Sequence, residues 1–263
     1  MKTIMTVFAG ALLVILMTFI SCTNNTPPQN EMQQPAPPAE QQAANNAEGN
    51  ATGEMEENEG DEDEGKSKAG QQSAQGNDRM TNYQNLQEAF KGETTASAKY
   101  AAYSQKAESE GYHAIAVLFK AASTSEKIHA NNHKAVLEDA GQTVPQITPQ
   151  FTVKTTRENL TDAIQGETYE ITTMYPQFIR VANGLGDQFS LASLNYAYKV
   201  EQKHKPLYEK ALAALDANTA NNLPTAYYIC PTCGNTYETT APKRCGISMT
   251  GSDKFIRIAN TAS

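Results

Sequence analysis

The sequence predicts a mainly α protein in which a four-helix bundle precedes a small β domain built around a metal-binding knuckle. Between residues 79 and 222, apolar residues recur at alternating steps of three and four along four long segments, which is the spacing of a bundle seam. Glutamate or histidine interrupts each seam. Residues 223–263 lack this periodicity and contain three cysteines. Both parts are therefore expected to bind metal.

The first 22 residues predict a bacterial export signal. Lys2 supplies the positive start, an apolar stretch follows over residues 4–20, and residues 19–22 resemble a lipobox. In a lipobox the cysteine, here Cys22, carries the lipid and becomes the mature N-terminus. The apolar stretch is short for a membrane span, although an uncleaved signal anchor is the alternative. We therefore expect an exported protein that is lipid-anchored in the bacterial cell envelope, on the periplasmic or outer-surface side.

Residues 23–78 predict a disordered tether. They are rich in Pro, Gln, Asn, Ala and Glu and contain no aromatic residue, so they cannot bury enough apolar surface to offset their conformational entropy. Eight acids between positions 54 and 64 account for the net charge of −8. No basic patch could neutralise phosphates, which excludes a nucleic-acid partner.

The predicted bundle comprises residues 79–222. Its four helices are expected over residues 81–110, 113–139, 157–183 and 187–217. Gly111, Gly141 and the pair Gly184 and Gly186 mark the helix ends. Residues 142–155, which contain two prolines, form a connection long enough to cross the bundle.

Eight seam positions carry a carboxylate or an imidazole where leucine would be expected. These residues are Glu93, Glu126, Glu167, Glu170, Glu201, His129, His133 and His204. Five buried carboxylates without partners would repel one another, and each would cost several kcal/mol to desolvate. A pair of iron ions would supply the positive charge that these seams require.

Sequence spacing brings most of these residues to one level of the bundle. The first helical hairpin turns at Gly111, and Glu93 and His129 lie equally far from it. Two further pairs lie symmetrically about the turn between the third and fourth helices: Glu170 with Glu201, and Glu167 with His204. A Glu-x-x-His pair on the second helix and another on the fourth place two ligands one turn apart. With a glutamate from each remaining helix, they form a di-iron carboxylate pattern.

Over residues 80–258 the chain resembles the rubrerythrins, which have a ferritin-like bundle and a rubredoxin-like C-terminal domain. The segments that carry the resemblance are Ala89-Phe90-Lys91-Gly92-Glu93, Gly111-Tyr112, Glu126-x-x-His129, Gly166-Glu167-x-x-Glu170 and Met174-Tyr175-Pro176. The resemblance implies two iron ions held by four carboxylate ligands, Glu93, Glu126, Glu167 and Glu201. It also implies that His204 binds one iron, and that His129 and Glu170 exchange at the other as the redox state changes.

Two tyrosines and two histidines lie outside the implied ligand set. Tyr100 and Tyr175 match family tyrosines that hydrogen-bond the carboxylates, but they are almost equally typical of an aromatic core. His133, one turn beyond His129, suits a hydrogen-bonded core histidine better than a zinc ligand. His113 follows the first turn and is expected at the surface.

Residues 223–263 resemble a rubredoxin in which one cysteine is missing. Segments 227–234 and 241–249 match its two metal knuckles, and the implied ligands are Cys230, Cys233, Cys245 and Ser248. Met249 stands where a glycine normally follows the fourth ligand, so the turn is expected to be altered. An iron or zinc site is preferred; an empty fold remnant and a Cys230–Cys233 disulfide are the alternatives.

The resemblance implies a peroxidase that reduces hydrogen peroxide to water in oxidative-stress defence. Glu170, His129, Tyr100 and Tyr175 would serve the reaction, and the rubredoxin-like site would relay electrons from an unknown donor, in this family usually across a homodimer or higher homo-oligomer. A ferroxidase or iron-handling protein is the main alternative. A structural lipoprotein with a relic bundle would be expected to have lost ligands, and none of the seven di-iron ligands is lost.

Overall fold

The computed structural model describes residues 64–259, with side chains from residue 76. The export signal with Cys22, and the tether up to residue 63, lie outside the described residues. Within the described part, no helix combines the length and the apolar character needed to cross a membrane.

The fold is mainly α, with a helical bundle followed by a small antiparallel sheet, which confirms the predicted fold class. The helices are α1 (Glu64–Ser109), α2 (His113–Asp139), α3 (Thr156–Tyr169), α4 (Tyr175–Leu185) and α5 (Gln188–Asp216). Residues 142–155 form the extended connection between α2 and α3, as predicted. Gly186 ends α4 in the left-handed conformation with φ of 65°, which glycine adopts without steric cost.

The first helix begins earlier than predicted. The sequence predicted its start at residue 81 and a tether as far as residue 78, whereas α1 already begins at Glu64. Residues 64–78 contain many favourable helix formers such as Ala, Gln and Lys. Because each residue added to an existing helix gains a hydrogen bond without a new nucleation cost, the packed part of α1 can extend into this polar stretch.

A π-helical turn interrupts the third predicted helix. It covers Glu170–Met174 and separates α3 from α4. A π turn inserts one residue into the helical register, so the seam beyond it shifts by one position. Beyond the turn, Ala182 rather than Val181 is the fully buried residue. The same shift brings Tyr175 into the interior, where it is 0% exposed.

The C-terminal part is a three-stranded antiparallel sheet in the order β2-β1-β3. Its strands are β1 (Ala226–Ile229), β2 (Thr236–Glu238) and β3 (Ile256–Ala259). The two knuckle turns have matching backbone hydrogen bonds: Gly234 N donates to Cys230 O, and Met249 N donates to Cys245 O. Met249 has φ of 62°, so the expectation of an altered turn was wrong. The side chain of Met249 is exposed, and the backbone carries the strain of a left-handed non-glycine residue.

Two apolar clusters pack the bundle on either side of a polar layer. One includes Tyr103, Phe119 and Tyr208, and the other includes Leu86 and Leu137. Along each long helix the predicted di-iron ligands fall between residues of the first cluster and residues of the second. The carboxylates are thereby enclosed by hydrocarbon above and below.

Candidate metal centre

Six of the seven predicted di-iron ligands converge in the polar layer. Their ligand atoms form two groups, each with all atoms within 4.8 Å of one another. One group comprises Glu93, Glu126, His129 and Glu201, and the other comprises Glu126, Glu167, Glu201 and His204. Glu126 and Glu201 belong to both groups. The arrangement is that of two adjacent ion positions bridged by two carboxylates, one from each Glu-x-x-His pair.

The donor atoms of these six residues are placed to bind a pair of cations, but they are not placed to form hydrogen bonds with one another. All six residues are at most 1% exposed. His129 Nδ1 lies 2.8 Å from Glu201 Oε1, and His204 Nδ1 lies 2.8 Å from Glu201 Oε2. However, neither Nδ1 atom nor either oxygen of Glu201 has a hydrogen-bond partner of acceptable geometry. Since orphaned buried polar atoms are rare and costly, the cluster of them here indicates bound metal ions.

The C-terminal sheet fixes which nitrogen of each histidine faces the metal positions. His129 Nε2 lies 3.1 Å from the carbonyl oxygen of Cys233, which can only accept, so Nε2 carries the proton. His204 Nε2 lies 3.2 Å from Thr236 Oγ1, whose own proton is donated to Gly234 O. In the neutral imidazole, each Nδ1 atom is therefore free of its proton and available to a metal ion, and the Nε2 atom makes the second hydrogen bond that metal-binding histidines usually make.

Electrostatics show the same need for cations. Burial and neighbouring carboxylates raise the pKa of Glu93 to about 7 and the pKa of Glu167 well above its usual range. Burial lowers the pKa of His204, but the charges of Glu126 and Glu201 outweigh it and raise the pKa to about 10. Without metal the layer therefore has to hold protons, which bound cations would displace.

Glu170, the seventh predicted ligand, lies at the start of the π turn and outside both ligand groups. It is half-buried, and burial together with Glu93 and Glu201 raises its pKa well above the usual range. The charges of the cluster therefore affect the pKa of Glu170. Of the two side chains that the resemblance expects to exchange, the structure places His129 and not Glu170 in the ligand group.

Both predicted tyrosines contact carboxylates of the cluster. Tyr100 Oη donates to Glu167 Oε1 at 3.1 Å, and Tyr175 Oη donates to Glu93 Oε1. Both hydroxyls are buried. The tyrosines therefore pack in the core and also hold one terminal carboxylate on each side of the bridged pair.

The two remaining histidines lie where the sequence predicts them. His133 is 0% exposed, and it is hydrogen-bonded through both ring nitrogens, to Tyr175 and to Ser193. Burial and the neighbouring His129 lower the pKa of His133 to about 3, so its imidazole is neutral. His113 is exposed and contacts Glu108.

A second metal site lies in the knuckle turns. The thiols of Cys230, Cys233 and Cys245 lie within 4.8 Å of one another and are unbridged, so the alternative disulfide is not formed. Ser248 Oγ lies 3.1 Å from Cys230 Sγ and 2.8 Å from Thr250 Oγ1. The serine hydroxyl therefore occupies the fourth corner of the site, with Thr250 holding it there.

Sequence reasoning missed the residues that join the two sites. Ser125 Oγ donates to Gly234 O at 2.7 Å, and Thr236 supports His204. Hydroxyl residues occur throughout the chain, and no spacing distinguishes these two from the others. The glycine at position 234 was the available signal, since a glycine beside a metal ligand permits the close approach of another part of the chain, here Ser125 and His129.

Comparisons with known proteins agree with this geometry. A family model described as "Rubrerythrin" matches residues 84–212. Rubrerythrin-2 of Clostridium acetobutylicum is 34% identical over 171 residues, covering 65% of this chain and 92% of that protein. Nigerythrin of Nitratidesulfovibrio vulgaris is 31% identical, covering 65% of this chain and 84% of that one. The solved structure of fully reduced, all-ferrous nigerythrin superposes with a TM-score of 0.61 at 30% identity, covering 67% of this chain and 86% of that one.

Proposed function

The chain belongs to the rubrerythrin family, and we propose that it is a peroxidase that reduces hydrogen peroxide to water. In this family the bundle holds a di-iron centre and the cysteine knuckles hold a further metal, and the chain has both sets of ligands. It is accordingly a di-iron protein of oxidative-stress defence and of the oxidoreductase type. The specific reaction and the electron route are the proposal.

Glu170 is the observation that carries the peroxidase assignment. It is a fifth carboxylate, and the seventh candidate ligand, beside a centre whose six other ligands already form two groups of four. When bound, the iron pair supplies the two electrons that convert one hydrogen peroxide and two protons into two waters. Glu170 would replace His129 as the charge on the metal rises, because a carboxylate compensates added positive charge better than a neutral imidazole does.

Contact between the two metal sites supports an electron relay. Cys233 contributes a thiol to the knuckle site, and its carbonyl oxygen accepts a hydrogen bond from His129 of the di-iron site. The covalent bonds of Cys233 and one hydrogen bond to His129 therefore connect the knuckle ligands with the di-iron ligands. The resemblance implies delivery from a partner subunit, whereas in the structure the knuckle contacts the di-iron site of its own chain.

Rapid mixing of the di-ferrous protein with hydrogen peroxide or with dioxygen tests the assignment. A peroxidase is expected to be oxidised much faster by peroxide. Glu170→Gln should slow the peroxide reaction while leaving two irons bound, and Glu209→Gln, an exposed carboxylate on α5, serves as the matched control. Faster oxidation by dioxygen, with ferric iron released, would instead identify a ferroxidase or iron-handling protein.

Attachment of the protein to the cell envelope through a lipid is also part of this proposal. A lipid on Cys22 would hold the protein in the bacterial cell envelope, where a soluble or membrane-bound electron donor would have to reach the knuckle site. Exposed Met249 and Ile256 lie on the knuckle domain and offer apolar contact for such a donor. A homodimer or higher homo-oligomer is also proposed, and sedimentation of the purified protein would test it.

A further inference from the structure

A buried chain of hydrogen bonds leads from α5 through α2 to one metal ligand. Ser193 Oγ lies 2.8 Å from His133 Nδ1, His133 Nε2 lies 3.2 Å from Tyr175 Oη, and Tyr175 Oη contacts Glu93 Oε1. All four side chains are at most 5% exposed. Neither His133 nor Ser193 belongs to the implied set of metal ligands.

The direction of every hydrogen bond in this chain follows from its last acceptor. A carboxylate bound to a cation is ionised and can only accept, so Tyr175 donates its single proton to Glu93. Tyr175 must then accept from His133, which places the ring proton on Nε2. His133 Nδ1 is consequently an acceptor, and Ser193 donates to it. Each donor thus points towards Glu93, and bonds aligned in this way strengthen one another in a low-dielectric interior.

Among the described residues, no histidine supports the tyrosine on the other side of the centre. Tyr100 donates to Glu167, but the residues around its ring are aromatic: Tyr103, Phe119 and Tyr208. The two ion positions are related by the repeated Glu-x-x-His pairs, yet within the part of the chain that the structure describes only the position held by Glu93 and His129 has a histidine behind its tyrosine.

We propose that His133 is a positioning residue for the Glu93 side of the di-iron centre: with its Nδ1 accepting a hydrogen bond from Ser193, its Nε2–H fixes the Tyr175 hydroxyl as a donor to Glu93. Losing such an outer partner of a metal ligand lowers metal affinity by roughly 10- to 100-fold. The loss is confined to one ion of the pair. The proposal depends on the di-iron centre and is independent of whether the oxidant is peroxide or dioxygen.

Iron binding and ⁵⁷Fe Mössbauer spectra of the di-ferrous full chain provide the test. His133→Leu removes the donor, and it should lower the affinity of one ferrous ion by about 10- to 100-fold and shift only that ion's quadrupole doublet. His133→Gln keeps an N–H donor at a similar reach and should restore most of the affinity. Tyr100→Phe is the matched control and should shift the other doublet.

A double-mutant cycle separates positioning from packing. Tyr175→Phe breaks the link, so adding His133→Leu to it should cause no further loss of affinity, whereas independent effects would add. Ser193→Ala should produce a smaller shift of the same doublet, and it remains usable if His133→Leu does not fold. The proposal is overturned if Ser193→Ala leaves both doublets unchanged, or if the substitutions at position 133 weaken both ions equally.

Discussion

Substituting Gly234 by alanine should separate the knuckle domain from the di-iron site. Gly234 has φ of 79°, and a Cβ atom there would lie 2.6 Å from Ser125 Oγ and 2.9 Å from His129 Cδ2. Contacts below 3.0 Å are not tolerated, and His129 cannot move without leaving the metal position. We therefore expect the first knuckle to shift away from α2.

The size of the effect follows from what the shift would break. A non-glycine residue in the left-handed region costs about 1–2 kcal/mol. The hydrogen bonds from Ser125 to Gly234 O and from His129 to Cys233 O measure 2.7 and 3.1 Å, and each contributes about 1 kcal/mol. The expected loss is about 3–4 kcal/mol of the free energy of unfolding, a large part of the total stability of a typical domain.

Urea unfolding of the iron-loaded protein measures this loss, and Gly246→Ala is its control. Gly246 lies in the second knuckle, and a Cβ there would have its nearest contact with Tyr237 Oη at 3.8 Å. Its substitution should change stability by less than about 0.5 kcal/mol. Gly234→Ala should also slow electron transfer from the knuckle site to the di-iron site. Equal stability and equal transfer rates in the two variants would refute the reasoning.

Three further predictions address the two metal sites and the anchor. Glu201→Ala should remove iron from the bundle, because this residue belongs to both ligand groups. Metal analysis should find two irons in the control variant Glu209→Ala, which changes an exposed residue. Full iron occupancy in Glu201→Ala would contradict the assignment. Ser248→Cys should strengthen the sulfur-to-iron charge-transfer absorption and raise the reduction potential of the knuckle site, since a thiolate replaces a harder oxygen. If the double variant Ser248→Cys, Met249→Gly leaves the spectrum unchanged, the knuckle domain is a fold remnant. Cys22→Ser should abolish acyl labelling and membrane fractionation, and persistent labelling would disprove the lipobox.

The repeated spacing along the helices made the di-iron ligands predictable. Glu126 with His129, and Glu201 with His204, lie three residues apart, and helical geometry alone places such pairs on one face. Equal distances from the turns then set their common height. Glu170 was predicted as a ligand by resemblance, but whether it or His129 faces the metal is a matter of side-chain conformation, which spacing does not encode.

The structure departs from the predicted pattern where contacts with residues distant in the sequence set the local backbone conformation. The π turn at Glu170 has no local signal, yet it shifts the later seam by one residue and buries Tyr175 against Glu93. Met249 adopts the positive φ of a glycine because the knuckle's hydrogen bond to Cys245 O requires it.

The sequence by itself determined the bundle, the six converging ligands and the cysteine knuckle, because each depends on residues within a few turns of one another or on symmetry about a turn. Only the tertiary structure decided which histidine nitrogens face the metals and how the knuckle meets the bundle. Those contacts join residues far apart in the sequence: His129 and Cys233, and Ser125 and Gly234, are more than a hundred positions apart, and His204 and Thr236 are 32 apart. They are made by hydroxyl and carbonyl groups, which occur so widely along a chain that spacing cannot single them out.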